Sequence, residues 1–138
     1  MRLQGILLIV LVAVGCMGKS PPQFSHQQVR ENLVTRIAQV KGLMDETPAL
    51  EARLEALKKE VPAERRPTPE QVQAQEPDDY ERRFGLGYPY ELDWHLYSPA
   101  EQKELRQLQT DLDRLGQESE RFFQLEAELK VWEQAKQP

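Results

Sequence analysis

The chain has 138 residues, 39% of them hydrophobic and 30% charged, with a mean hydropathy of -0.68. That composition leaves material for one modest domain with a thin core, the kind that helical hairpins and bundles build, and none for a second. The formal net charge is -5, and beyond the first fifteen residues, which carry only Arg2, 17 basic groups meet 23 acidic ones, a balance of -6 that argues against a nucleic-acid partner and against a polybasic lipid-binding patch.

Residues 1–15 open on Met1-Arg2 and continue as the apolar run Ile6-Leu7-Leu8-Ile9-Val10-Leu11-Val12-Ala13-Val14. This is the layout of an export signal, and it is shorter than the roughly 20 apolar residues that cross a bilayer. Gly15 and Cys16 follow. Cys16 is the only cysteine, so the chain can build neither an internal disulfide nor a thiolate metal cluster. The stretch Val12-Ala13-Val14-Gly15-Cys16 resembles the lipobox of bacterial lipoproteins, although Ala13 stands where that family most often has Leu. The resemblance implies cleavage between Gly15 and Cys16, and acylation of Cys16 by diacylglyceryl and palmitate-type chains. It also implies a membrane-attached protein of the bacterial cell envelope. Ala13-Val14-Gly15 also fits ordinary signal cleavage, which would release a soluble form. Met17, rather than Asp, follows the cysteine, and in such lipoproteins this favours the outer membrane, facing the periplasm.

Residues 16–23 form the lipidated cysteine and a polar tether with Pro21 and Pro22, which cannot continue a helix. Over 24–61 the apolar positions Val29, Leu33, Ile37, Val40 and Met44, then Leu50, Leu54, Leu57 and Val61, recur at helical spacing. Thr47-Pro48 reads as an N-cap and first helical residue, so this half is one kinked helix or two stacked ones. Residues 62–79, with Pro62, Pro67, Pro69 and Pro77, read as an extended or weakly ordered linker. Residues 80–97 hold six of the ten aromatics. Ser98-Pro99-Ala100-Glu101 is a capping box with proline at the first helical position. It opens a helix over 98–135 whose stripe is Leu105, Leu108, Leu112, Leu115, Phe122, Leu125, Leu129 and Trp132. Ser119 occupies one seam position, and the phase changes after Phe122.

The two halves are similar in length, which predicts an all-α fold: an antiparallel helical hairpin or small helical bundle with coiled-coil character, closed by the linker and an aromatic loop. Stripes that pair between chains would instead give a homo-oligomeric coiled coil.

Chemistry is sparse. His26 and His95 lie in no metal or triad spacing, and Glu91, Asp93 and His95 alternate along one segment without the further groups that metal binding or acid–base work needs. Gly85-Leu86-Gly87 lacks the context of a phosphate loop. The expectation is therefore no enzyme, no cofactor and no metal. Arg82, Arg83, Phe84, Tyr88, Tyr90, Trp94 and Tyr97 are the candidate partner-binding residues, because aromatic side chains and arginines anchor interface hot spots. The bland alternative is that the aromatics cap the open end of the hairpin. The expected role is a non-catalytic envelope lipoprotein that binds an envelope protein, as an assembly or secretion accessory factor. The alternative is a self-associating coiled-coil spacer in the periplasm. Pilotins, small helical lipoproteins that escort secretins, resemble the layout in size, lipidation and helicity, with no motif residue carrying the likeness.

Overall fold

The computed structural model describes residues 23–84 and 92–138. The cleavage and lipidation positions Gly15 and Cys16, and the candidates Tyr88, Tyr90 and Glu91, lie outside the described residues.

The fold is all-α. The first helix, α1 (His26–Glu60), is opened by Ser25, whose hydroxyl accepts the Gln28 N–H while the Gln28 side chain accepts the Ser25 N–H. At 35 residues it is about 52 Å long. It runs unbroken through Pro48, so Thr47 is an interior helical residue rather than an N-cap, and its hydroxyl donates to the Leu43 carbonyl at 3.3 Å. The 62–79 segment is more ordered than an extended linker. A 3₁₀ turn (Ala63–Arg65) leads to the short helix α2 (Pro69–Ala74), opened by a Thr68–Gln71 capping box. Next come α3 (Tyr80–Phe84) and a 3₁₀ turn (Trp94–Leu96). The Ser98–Glu101 capping box then opens α4 (Pro99–Glu118) as expected, and α5 (Glu120–Lys136) completes the chain.

Ser119 separates α4 from α5 and is fully buried, at 0% exposure. Its hydroxyl donates to the Gly116 carbonyl at 2.7 Å, the back-bonding that bends a helix. A larger residue at this seam position would push the helices apart. The small bent one lets the stripe change phase, so Leu105, Leu112 and Leu115 before the bend and Phe122, Leu125, Leu129 and Trp132 after it all reach the core.

The direction of pairing corrects the expected antiparallel hairpin. His26 and Arg30 near the start of α1 reach Glu104 near the start of α4, while Glu60 at the end of α1 bonds Lys136 at the end of α5. The sequence separation is 74 residues for Arg30–Glu104 and 76 for Glu60–Lys136. An antiparallel pair would shrink that separation by two for every residue climbed, so α1 and α4–α5 run parallel, as members of a small bundle. The physical reason lies in the connection. Tyr80 and Tyr97 are buried against α1 because the connection lies along the helix pair, and a connection that lies along the pair returns the chain to the end where it started. Val29, Leu33 and Val40 of α1 accordingly share one core cluster with Tyr80, Tyr97 and Leu105. Leu54, Leu57 and Val61 share a second cluster with Leu125, Leu129 and Trp132.

Further ion pairs join the long helices at Glu51–Arg121 (3.5 Å), Lys58–Glu128 (3.4 Å) and Arg53–Glu133. Exposed pairs of this kind contribute at most about 1 kcal/mol each. Their larger effect is to fix the parallel register that the apolar seam by itself would specify less sharply.

Candidate interaction surface

The segment from Glu76 to Tyr97 carries the candidate residues, and the fold uses them unequally. Asp79 caps α3: its carboxylate accepts the Arg82 N–H at 2.6 Å, and its carbonyl accepts the Arg83 N–H at 3.1 Å. A five-residue helix has little stability of its own, and two side chains on one of its faces hold it down. Tyr80 is 7% exposed and donates its hydroxyl toward the Arg36 carbonyl (3.3 Å) and Gln39 Oε1 (3.0 Å) of α1. Burial pushes its phenol above the ordinary range, and the nearby Arg36 charge opposes this. Arg83, one turn on, bonds Glu126 of α5 at 2.9 Å and lies over the Phe122 and Phe123 rings, at 5.9 and 5.6 Å from their centroids.

Two neighbours are left outside. Arg82 is exposed, and among the described residues its side chain pairs only with Asp78, at 3.7 Å. Phe84 is 39% exposed, with its ring 5.0 Å from that of Tyr80.

At the other end of the segment, Tyr97 is buried and its hydroxyl donates to the Phe24 carbonyl, fastening the connection to the entrance of α1. Burial, reinforced by the Glu101 carboxylate, raises its phenol as well. Trp94 is half-buried with the Arg106 guanidinium stacked on its ring at 4.2 Å. Gln102 donates to the Trp94 and Tyr97 carbonyls at 2.7 and 3.1 Å, so the turn is closed from α4. Of the described candidates, then, Tyr97 and Arg83 hold the fold together, Trp94 is partly covered, and Arg82 and Phe84 face solvent. The described aromatics do not gather as a cap on one end: Tyr80 lies beside the middle of the first half of α1, and Tyr97 beside its start.

The other polar groups singled out in the sequence have structural partners. Asp93 accepts the His95 N–H at 3.3 Å. His26 sits between Glu101 (3.7 Å) and Glu104 (3.0 Å). Glu104 is held below the usual carboxylate range first by its hydrogen bond from Arg30, and Glu101 first by the Ser98 N–H. Among the described residues no group of three His, Cys, Asp or Glu is placed to hold a metal ion, and no helix is long and apolar enough to cross a membrane.

One feature escaped the sequence reading. Between residues 76–81 and the α4–α5 junction the structure holds a cavity of about 750 Å³. Its signal was present as Glu76-Pro77-Asp78-Asp79-Tyr80-Glu81, four carboxylates in six positions, inside segments read only as a linker and the start of an aromatic loop. Compared with known families, curated proteins and solved structures, the chain matches none.

Proposed function

We propose that this protein is a lipid-anchored bacterial envelope lipoprotein that acts without catalysis, binding another envelope protein as an assembly or secretion accessory factor, on the periplasmic side of the outer membrane. The observation that carries the reading is the apolar run Ile6–Val14 ending in Gly15-Cys16, followed by a polar tether and then a small helical bundle. The arrangement of α3 supports the binding role. Tyr80 and Arg83 spend their contacts on the bundle, while Arg82 and Phe84, a cation and an aromatic side chain of the kind that anchors interfaces, project beside them. The spacer alternative is less well supported, because the apolar stripes that a homo-oligomer would use are paired with each other inside one chain.

The anchor is tested by labelling cells with radioactive palmitate. The wild-type protein takes up label and Cys16→Ser does not, whereas label on Cys16→Ser refutes the anchor. The binding role is tested by mild crosslinking in native membranes, comparing wild type with the double variant Arg82→Glu, Phe84→Ser. Loss of a reproducible partner with an unchanged circular dichroism spectrum supports it, and full retention of every partner refutes the role given to α3.

A further inference from the structure

The cavity beside α3 has an apolar floor and an acidic rim. Tyr80, Leu112, Gly116 and Phe123 form the floor. Tyr80, Leu112 and Phe123 are themselves packed into the core cluster. At Gly116 a Cβ would meet nothing within 4 Å, so the helix presents no side chain to the space there. The volume falls within the roughly 300–1,000 Å³ typical of built ligand sites. The exposed Phe84 ring, 5.0 Å from Tyr80, continues the apolar surface beyond the floor.

The rim determines what the groove can accept. Glu76, Glu81, Asp113 and Glu120 line it, and none has an ion-pair or hydrogen-bond partner for its carboxylate among the described residues. Asp78 shares its charge with Arg82, and among the described residues no Lys, Arg or His lines the space. Six carboxylates elsewhere on the bundle, Glu51, Glu60, Glu104, Glu126, Glu128 and Glu133, are each matched to a cation across helices, whereas Asp45, Glu46, Glu64 and Glu70 are, among the described residues, as unmatched as the rim but border no such apolar floor. Four unmatched carboxylates around one apolar floor repel anionic lipid surfaces and nucleic acid, and attract cations.

We propose that this groove docks a basic amphipathic segment of a partner protein, which seats one large apolar side chain over Gly116 and places lysines or arginines against Glu76, Glu81, Asp113 and Glu120. The apolar floor, prolonged by Phe84, favours such a peptide over a small polycation, which has no large side chain to seat there. The proposal rests on the reading of the protein as a partner-binding factor and adds the chemistry of the partner.

The test uses purified wild-type protein and a synthetic twelve-residue Leu/Lys amphipathic helix as the probe, with its Leu/Glu counterpart and spermine as comparators, read by fluorescence anisotropy. The wild type binds the Leu/Lys peptide and not the Leu/Glu peptide. Gly116→Trp fills the groove and weakens binding at least tenfold. Replacing glycine inside a helix, where the new side chain meets open space, does not cost helix stability, and circular dichroism verifies the fold. The pair Asp113→Asn, Glu120→Gln weakens binding at least fivefold, while the equally neutralising pair Asp45→Asn, Glu46→Gln on α1 leaves it within twofold. Unchanged binding to folded Gly116→Trp overturns the proposal. So does equal loss from both neutralised pairs, and so does spermine binding as tightly as the peptide with the same dependence on Gly116. Because the readout is direct binding to the purified protein, failure here leaves the palmitate and crosslinking results to decide the anchor and the partner independently.

Discussion

Truncating Tyr80 tests the central claim of the fold, that the connection lies along the parallel helices and is fastened there. In Tyr80→Phe only the hydroxyl goes. Its acceptors are the Arg36 carbonyl, which retains its place in the α1 hydrogen-bond ladder, and the Gln39 side chain, which reaches water, so no group is stranded and the cost is about 1 kcal/mol. In Tyr80→Ala the ring goes too. It is almost wholly buried, joins the core cluster with Val29 and Phe123, and supports the Phe84 ring at 5.0 Å. Aromatic-to-alanine truncations in packed cores cost about 3–5 kcal/mol, and the low end applies because one side of this ring borders the open groove. With a urea dependence of about 1.5 kcal/mol per molar, the unfolding midpoint followed by circular dichroism falls by about 0.7 M for Tyr80→Phe and about 2 M for Tyr80→Ala. Equal shifts for the two variants, or a shift below about 0.5 M for Tyr80→Ala, would mean that the ring is not part of the core, and the reasoning would fail.

Parallel direction has its own test. With Cys16 changed to Ser, Glu60→Cys combined with Lys136→Cys is joined by a short bis-maleimide, because the native side chains meet at 2.7 Å, whereas Glu60→Cys combined with Gln102→Cys is not; the reverse pattern on a gel restores the hairpin. At the bend, Ser119→Leu overpacks a fully buried site and costs about 1–3 kcal/mol by thermal melting, while Ser119→Ala stays within about 1 kcal/mol of wild type. Glu101 and Glu104 are held below their ordinary range in the native state, so they favour folding above the unfolded-state carboxylate range, and that contribution disappears as pH falls through their native titration. The melting temperature therefore drops with acid, and the acid slope is shallower in Glu104→Gln; an unchanged slope contradicts the Arg30–Glu104 link. Tyr80 and Tyr97 titrate above the ordinary phenol range, so their contribution is complete below about pH 10 and is lost as pH rises through the native titration.

The seam was legible from sequence because helical periodicity encodes it directly. Val29, Leu33, Val40, Leu54, Leu57 and Val61 are buried, with Ile37, Met44 and Leu50 partly so, and of their partners Leu105, Leu112, Leu115, Phe122, Leu125, Leu129 and Trp132 are buried and Leu108 partly. Direction was not legible, because two similar stripes match in either sense and the choice is made by the connection. The short helix α2 was missed even though Thr68-Pro69-Glu70-Gln71 repeats the chemistry of Ser98-Pro99-Ala100-Glu101. The prolines around it suggested a linker, yet Pro69 is at a first helical position where proline costs nothing. Phe123 was missed for a different reason. It lies off the α1-facing stripe and is buried by the returning connection, a contact that periodicity within one helix cannot report. The candidate surface was half legible: residue types pointed to 80–97, but only three-dimensional packing separates Arg83 and Tyr97, consumed by the fold, from Arg82 and Phe84.

The parallel arrangement also decides how the molecule carries tension. In an antiparallel hairpin both ends of the chain leave from the same side, and pulling on them peels the helices apart one contact at a time. Here the chain enters α1 beside Glu101 and Glu104 and ends about 52 Å away, where Lys136 meets Glu60. A pull between Phe24 and the end of α5 drives the helices past each other along their axes, so the apolar seam and the ion pairs along it are loaded together, in shear.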